Sequence, residues 1–311
     1  MRTPEMRSKK DCCSMIDIDL HLHTHYSDGT ESPKDLVERA HREGLRTIAI
    51  TDHDGIDGVR AAVRAGIPLG MRVIPGLEFS TEWQSEGLDC ESEKHTMHVL
   101  GYGIDLESKP LQDKMQEIRK SRAERNEKLY RAFREKGIEL GQEELEVDSP
   151  GKFVGKRSFA ATFVKKGFAD SIEEAFASRH LMADPAIRSI RKEKTSSGEA
   201  IRIIHQAGGK AFLAHPFQLD YPSLLRDPER FRQRLVLVVG RLSALGLDGL
   251  ECYYPTHDQE RTDFLLALAD QNMMLVSIGS DDHGPGARKI KKIHSFQTKA
   301  DPDRLRWIEL L

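Results

Sequence analysis

The segment DLHLHTHYSDG, Asp19–Gly29, sets histidines at positions 21, 23 and 25 and an aspartate at 28. Similar residues recur along the chain: Asp52 and His53 in TDHD, Glu78 in PGLEFS, His98 in HVLGYG, His215 in AHP, and Asp281 and His283 in GSDDHG. Imidazole mixed with carboxylate, and no thiolate, suits manganese, iron, zinc or a similar divalent ion. His21 and His23 are two apart, so on a strand both rings project from one face and can chelate one ion. His25 shares that parity only if the strand continues, and Thr24 to Gly29 reads as loop, so it is set aside as a ligand. The other donors, His21, His23, Asp28, His53, Glu78, His98, His215, Asp281 and His283, exceed what one tetrahedral or octahedral site can use. Two or three ions sharing ligands are implied, with Glu78 a natural bridge through its two oxygens. Adjacent ions can clamp an attacking water and the oxygens of a phosphoryl group during in-line displacement. Asp52, beside His53, is expected to support a ligand or handle a proton rather than to bind metal.

These donors sit where short apolar runs give way to turns and helical patterns, the pattern of repeated βα units. Seven strands are expected: Ile16–Leu20, Thr47–Ile50, Arg72–Ile74 with its flank, Met97–Leu100, Lys210–Ala214, Gly249–Cys252 and Met274–Ile278. Ser32 and Pro33 offer a helix N-cap and first-turn proline, and Gly44 and Gly208-Gly209 are stop signals. In a β/α barrel the corresponding ends of parallel strands share one face, where the loops build the active site. Any one of these histidines alone would read as a surface or hydrogen-bonded core residue. His41, His95, His180, His205 and His294 are read that way. A whole set of donors at successive strand ends is a different matter.

Residues 106–195 are dominated by charged helical sequence without a convincing buried strand, too long for a simple βα connection. They are assigned to an inserted helical subdomain, with the barrel formed by 15–105 and 196–311. Residues 1–14 read as a loose extension, and Gln84 to His95 as a loop or hairpin tip. The fold class is thus α/β, a distorted barrel interrupted by a helical insertion.

Composition narrows the partners. The chain has 311 residues, 38% of them hydrophobic, enough for a large core. Lys and Arg total 47 against 50 Asp and Glu, a formal net charge of −3, so no global basic field argues for long nucleic acid. Phosphate binding must be local. Cys12, Cys13, Cys90 and Cys252 lack a zinc-ribbon or disulfide-framework spacing, which fits reduced thiols in the cytoplasm. No signal-peptide core or bilayer-length apolar run is visible, so no membrane partner is expected, and no obligate protein partner is evident.

The ordered motifs DLHLHTHYSDG, TDHD, PGLEFS, HVLGY, AHP and GSDDHG resemble those of the PHP (polymerase and histidinol phosphatase) metal-dependent phosphoesterases, over about residues 16–290. The resemblance implies a distorted (β/α)7 barrel with a trinuclear site, manganese being the first expectation and zinc or iron the alternatives. Carried over by motif position, the ligands are the same nine residues. The insertion resembles that of nucleoside monophosphate and 3',5'-nucleoside bisphosphate phosphatases, some described as trimming short RNA ends.

In that insertion, PLQDKMQEIRKSRAERNEKLYRAFREKG carries an apolar stripe of Leu111, Met115, Ile118, Leu129 and Phe133, on which Arg122 and Arg125 also fall. The planar fork of arginine suits phosphate, although ion pairing or snorkelling would also place it there. Where the resembling branch has a G-R-P-H-like turn, this chain has Gly155-Lys156-Arg157-Ser158, so Lys156, Arg157 and Ser158 are the corresponding substrate contacts in an altered geometry. His257, in ECYYPTHDQE, stands where this branch often has a histidine, and could contact phosphate, protonate a leaving oxygen, or cap the next helix. Arg188, Arg191, Lys192 and Lys194 read as a solvated face. Trp83, Tyr253 and Tyr254 read as packing.

The expected activity is metal-dependent hydrolysis of a small phosphate ester by metal-activated hydroxide. Candidate substrates are a nucleoside 3',5'-bisphosphate, a nucleoside monophosphate or a phosphorylated sugar, including a cyclic phosphate. The competing expectations are an exonuclease on short RNA or DNA 5' ends and a catalytically silent, metal-stabilised scaffold.

Overall fold

In the computed structural model the described residues are 16–84, 94–145, 154–219, 227–287 and 291–311. The expected extension 1–14, Cys12, Cys13, Cys90 and the tip of the 84–95 segment lie outside them. The strands are β1 (Ile18–Leu22), β2 (Thr47–Ile50), β3 (Arg72–Gln84), β4 (Lys94–Tyr102), β5 (Thr195–Ser196), β6 (Lys210–Leu213), β7 (Gly249–Tyr253) and β8 (Leu275–Ile278). The sheet runs in the order β1-β2-β3-β4-β6-β7-β8, with the two-residue β5 added beside β3. A bridge between Leu22 and Asp282, and the His23 N–H donating to the Asp282 carbonyl at 2.9 Å, bring β1 and the end of β8 together. This is a distorted β/α barrel.

Two expectations need correction. The first strand is shifted by two residues, so His21 lies within it rather than after it. The fourth strand is not parallel: β4 runs antiparallel to both β3 and β6. The cause is the short β3–β4 connection, which permits a hairpin but not the helical crossover that a parallel pair requires. The long hairpin pairs Gly76 with Tyr102 through to Gln84 with Lys94. Glu78 faces Leu100, so His98 is its diagonal neighbour on the same face of the sheet.

The helices form where their end signals place them. For α1 (Pro33–Arg42), Ser32 Oγ accepts from the Asp35 N–H, Pro33 opens the first turn, and Gly44 at φ 92° reverses the chain. Between β2 and β3 lies α2 (Val59–Gly66). After β4 come α3 (Lys109–Glu135), α4 (Gln142–Leu145), α5 (Lys156–Lys165), α6 (Ile172–Ala177) and α7 (Pro185–Ser189). The rest are α8 (Ser197–Gln206), α9 (Pro228–Ala244) and α10 (Gln259–Gln271). No helix among the described residues is long and apolar enough to cross a membrane.

The apolar stripe on α3 serves two cores. Leu111, Met115 and Ile118 join the large cluster around the sheet, whereas Leu129 and Phe133 join a second cluster with Phe159, Phe163, Leu181 and Ile187. Phe133, Phe159 and Phe163 are fully buried there, each contributing on the order of 2–3 kcal/mol of transfer free energy. One continuous helix thus runs from the barrel wall into the helical segment, and Arg122 and Arg125 stand between its two apolar stretches.

Candidate metal centre

Asp19, His21 and His23 share one parity on β1 and its extension, which sends both imidazoles to the interior at one end of the barrel. Glu78 on β3 is the hub. Its Oε2 lies 3.4 Å from Nε2 of both His21 and His23 and 2.8 Å from His53 Nδ1. Its Oε1 lies 2.9 Å from His98 Nδ1 and 3.1 Å from His215 Nε2. Asp281 Oδ1 is 3.2 Å from His23 Nε2, and Asp28 Oδ1 is 3.1 Å from His283 Nε2. All nine expected ligands therefore meet in one place.

The arrangement fits metal. Three groups have donor atoms within 4.8 Å of one another: His23, Asp28, His53 and His283; His21, His23 and Asp281; His53, Glu78 and His98. With each ligand atom about 2.0–2.2 Å from an ion, two ligands of one ion stand about 3.0–3.5 Å apart. The His23–Asp281, His23–Glu78 and His21–Glu78 separations fall in that interval. The Nε2 atoms of His21, His23 and His283 and Oε2 of Glu78 are buried yet make no hydrogen bond of acceptable geometry. Buried polar atoms are normally satisfied, so a converging set of unsatisfied donors calls for a cation.

Charge in the cluster is strongly coupled. Burial disfavours the Glu78 carboxylate, but His53, His98 and His21 outweigh it and hold its pKa well below the usual range. Asp281 is held low in the same way, against burial, by His21, His23, His283 and Lys291. For His53, burial is outweighed by Glu78 and Asp28, and its pKa rises to about 9. His23 goes the other way, pushed well down by burial and by His283. Asp281 Oδ2 accepts from the Tyr254 hydroxyl at 2.8 Å and from Lys291.

Asp52 lies behind the cluster. Its carboxylate accepts from the Thr24 N–H at 2.8 Å and from the hydroxyls of Thr24 and Ser27, each at 2.6 Å. Burial raises its pKa to about 6. Those contacts shape the turn that presents Asp28. His257 is fully buried, its Nδ1 on the Cys252 carbonyl at 3.0 Å, and its Nε2 without a hydrogen bond. Burial lowers its pKa to about 4. It does not cap α10, because Asp258 does, accepting from the Arg261 N–H.

The helical segment that follows β4 brings cations to the same end of the barrel. Arg122 Nη2 is 3.9 Å from Asp54 Oδ2, and burial lowers its pKa to about 10. Arg125 is buried, with Nε making no hydrogen bond. Burial, then the charges of Arg125, Arg191, Arg188 and Lys194, lowers the Lys156 pKa to about 8. Arg157 and Ser158 line a cleft of about 350 Å³ whose other wall includes Ser27 and Asp28. Ser158 Oγ also accepts from the Gly155 N–H at 3.2 Å, closing the first turn of α5.

A family model described as the PHP domain matches residues 19–178, just over half of the chain. The chain belongs to the PHP domain family. It is 28% identical over 274 residues to a 3',5'-nucleoside bisphosphate phosphatase of Chromobacterium violaceum, covering 88% of this chain and 89% of the relative. It is 30% identical over 271 residues to the 5'-3' exoribonuclease Rnm of Salmonella typhimurium, covering 86% and 85%. A solved structure of an amidohydrolase from Chromobacterium violaceum, with bound sulfate and no metal, superposes with a TM-score of 0.75 at 26% identity, covering 94% and 95% of the two chains.

Within this PHP domain protein, the motifs AHP and GSDDHG lie beyond the span of the family match, and the fold carries them back to the same cluster. Several residues at the centre escaped sequence reading. Lys192 donates to Asp54 Oδ2 at 2.6 Å and Lys194 to Thr96 Oγ1 at 2.7 Å, so half of the supposed solvated run folds onto the barrel mouth. A buried Asp54 partner, not the composition of the run, draws Lys192 in. Tyr254, read as packing, holds Asp281. Glu251 stands fully buried on β7, and a charged residue amid the apolar run GLECY was the available signal. Lys291 carried no signal of its own.

Proposed function

We propose that this PHP domain protein is a metal-dependent phosphoesterase that hydrolyses small phosphorylated molecules, with a nucleoside 3',5'-bisphosphate, a nucleoside monophosphate or a phosphorylated sugar, including a cyclic phosphate, as the substrate class. The observation that carries the reading is one cluster of nine donors around Glu78, with Asp28 on one wall of a cleft whose other wall carries Arg157 and Lys165 beside Glu144. Either signature alone would be common; their juxtaposition suits a phosphate ester held at both ends.

His21, His23, Asp28, His53, Glu78, His98, His215, Asp281 and His283 hold two or three divalent ions, manganese first among the candidates. Such ions supply Lewis acidity toward phosphoryl oxygens and lower the pKa of the attacking water. Tyr254 and Lys291 occupy Asp281 Oδ2 and leave Oδ1 for the cluster. Asp52 keeps the Thr24–Ser27 turn in place so that Asp28 reaches its group. Arg122, Arg125, Lys156 and Arg157 bind a second phosphate or the sugar-phosphate portion and orient the ester. Ser158 shapes the same wall. His257 is neutral at pH 7 with its Nδ1 proton on a carbonyl, so Nε2 serves as an acceptor toward substrate or water rather than as the initial proton donor. The buried thiol of Cys252 fits a cytoplasmic setting.

A second reading is trimming of short RNA or DNA from the 5' end. It is favoured by the cations that continue past Lys156 to Arg188 and Arg191, and by the relative named as an exoribonuclease. The test is phosphate release by manganese-loaded protein from adenosine 3',5'-bisphosphate, AMP, a ribose cyclic phosphate and a short 5'-phosphorylated RNA, with RNA length followed in parallel. Preference for a mononucleotide or sugar supports the first reading, and stepwise shortening supports the second. No turnover of any member by protein of verified metal content would leave a metal-stabilised scaffold.

A further inference from the structure

We infer that Glu251 is a positioning residue that sets two of the metal-binding histidines at once; this rests on the metal reading proposed above. Glu251 belongs to none of the three donor groups. Its carboxylate instead takes two hydrogen bonds, one from the ring of His21 in those groups and one from the backbone of His215. Oε1 accepts from His21 Nδ1 at 2.8 Å, and Oε2 accepts from the His215 backbone N–H at 2.7 Å.

Each contact has a definite consequence. The bond to Nδ1 turns the His21 ring so that Nε2 faces Glu78 and Asp281, and it keeps Nδ1 protonated while Nε2 is free to bind metal. The bond to the His215 N–H steadies a residue at φ 29° and ψ 64°, a backbone region costly for anything but glycine. That turn, just past β6, is what brings His215 Nε2 to 3.1 Å from Glu78 Oε1. A single carboxylate on β7 therefore couples a ligand on β1 to a ligand just after the adjacent strand β6.

The fold makes room for this pair. A Cβ on Gly279 would stand 2.2 Å from His21 Cβ and 2.4 Å from Glu251 Oε1, so the chain leaving β8 can pass only as glycine. A carboxylate is also the one group of this size with an acceptor at both ends. Glutamine has the same shape but one oxygen, so its amide NH2 must confront either the His21 Nδ1–H or the His215 N–H, donor against donor.

The test is Glu251→Gln, with manganese affinity measured by chelator competition and metal content counted per chain. The expected result is affinity weakened by about 10–100-fold, with the far-UV circular dichroism and unfolding of the metal-free protein retained. The zinc-loaded wild-type protein gives a readout that needs no variant: long-range 1H–15N correlation is expected to show His21 protonated at Nδ1 and ligated through Nε2. Ligation of His21 through Nδ1, or wild-type metal affinity in Glu251→Gln, would overturn the inference while leaving the metal reading intact. A wild-type protein that takes up neither metal would overturn both. If Glu251→Gln fails to fold, the wild-type spectrum alone decides.

Discussion

Replacing Arg125 by methionine should make this protein more stable and a poorer enzyme. Arg125 sits on α3 between two apolar stretches, is 7% exposed, and has an Nε without a hydrogen bond. Burial lowers its pKa from 12.5 to about 10. One pKa unit is about 1.4 kcal/mol, so holding the charge there costs the ligand-free fold on the order of 3 kcal/mol. Because the folded pKa lies below the unfolded one, that penalty is present in full below about pH 10 and fades as pH rises toward 12.5. Methionine keeps most of the side-chain length and removes the charge, recovering about 1–3 kcal/mol after some loss of packing. With unfolding entropies near 2.1 cal/mol/K per residue, a chain of this size should gain about 1.5–4.5 °C in Tm. With Arg125 binding phosphate as proposed, the same substitution should remove a charge-assisted contact of about 2–3 kcal/mol, raising KM by about 30–150-fold and changing kcat less. Scanning calorimetry of manganese-loaded protein, with kinetics on the best substrate of the panel, reads both effects. A lower Tm with unchanged KM would refute the reasoning and make Arg125 a structural residue.

Three further outcomes follow from the same geometry. His23→Ala and Asp281→Ala should each abolish turnover, with a loss of at least about 100-fold, because removing a direct ligand costs more than the 10–100-fold typical of its supporting partners. His23 belongs to two donor groups and His98 to one, so elemental analysis should find more metal lost from His23→Ala than from His98→Ala; folded His23→Ala with normal turnover would count against the site. Lys156, whose pKa burial and neighbouring cations lower to about 8, is charged below that pH and loses its charge above it. The kcat/KM profile should therefore fall through a midpoint near pH 8, and Lys156→Gln should lose that limb; an identical profile in the variant would remove Lys156 from substrate binding.

The local signals were reliable because they depend on neighbours in sequence. The alternation of His21 and His23, the cap at Ser32 with Pro33, and the apolar stripe of α3 all follow from the periods of strand and helix. Equally, nine donors at the ends of separate apolar runs could be read as one site, since a β/α barrel gathers such ends on a single face. Strand direction was another matter. The sequence of β4 is as apolar as its neighbours, and only its pairing in a long hairpin shows that it runs backward and delivers His98 diagonally to Glu78.

Partnerships between separate elements were beyond reach for the same reason. Lys192 looks like any lysine in a basic run, Tyr254 like any buried aromatic, and Glu251 like an isolated charge in a strand. Their roles come from what lies within 3 Å of them: Asp54, Asp281, and the pair His21 and His215. By itself the amino-acid sequence determined the donor types, their order and the elements that bear them. Tertiary structure alone decided which oxygen faces which nitrogen and which charges are buried together, because hydrogen bonding and desolvation depend on distances that no spacing along the chain contains.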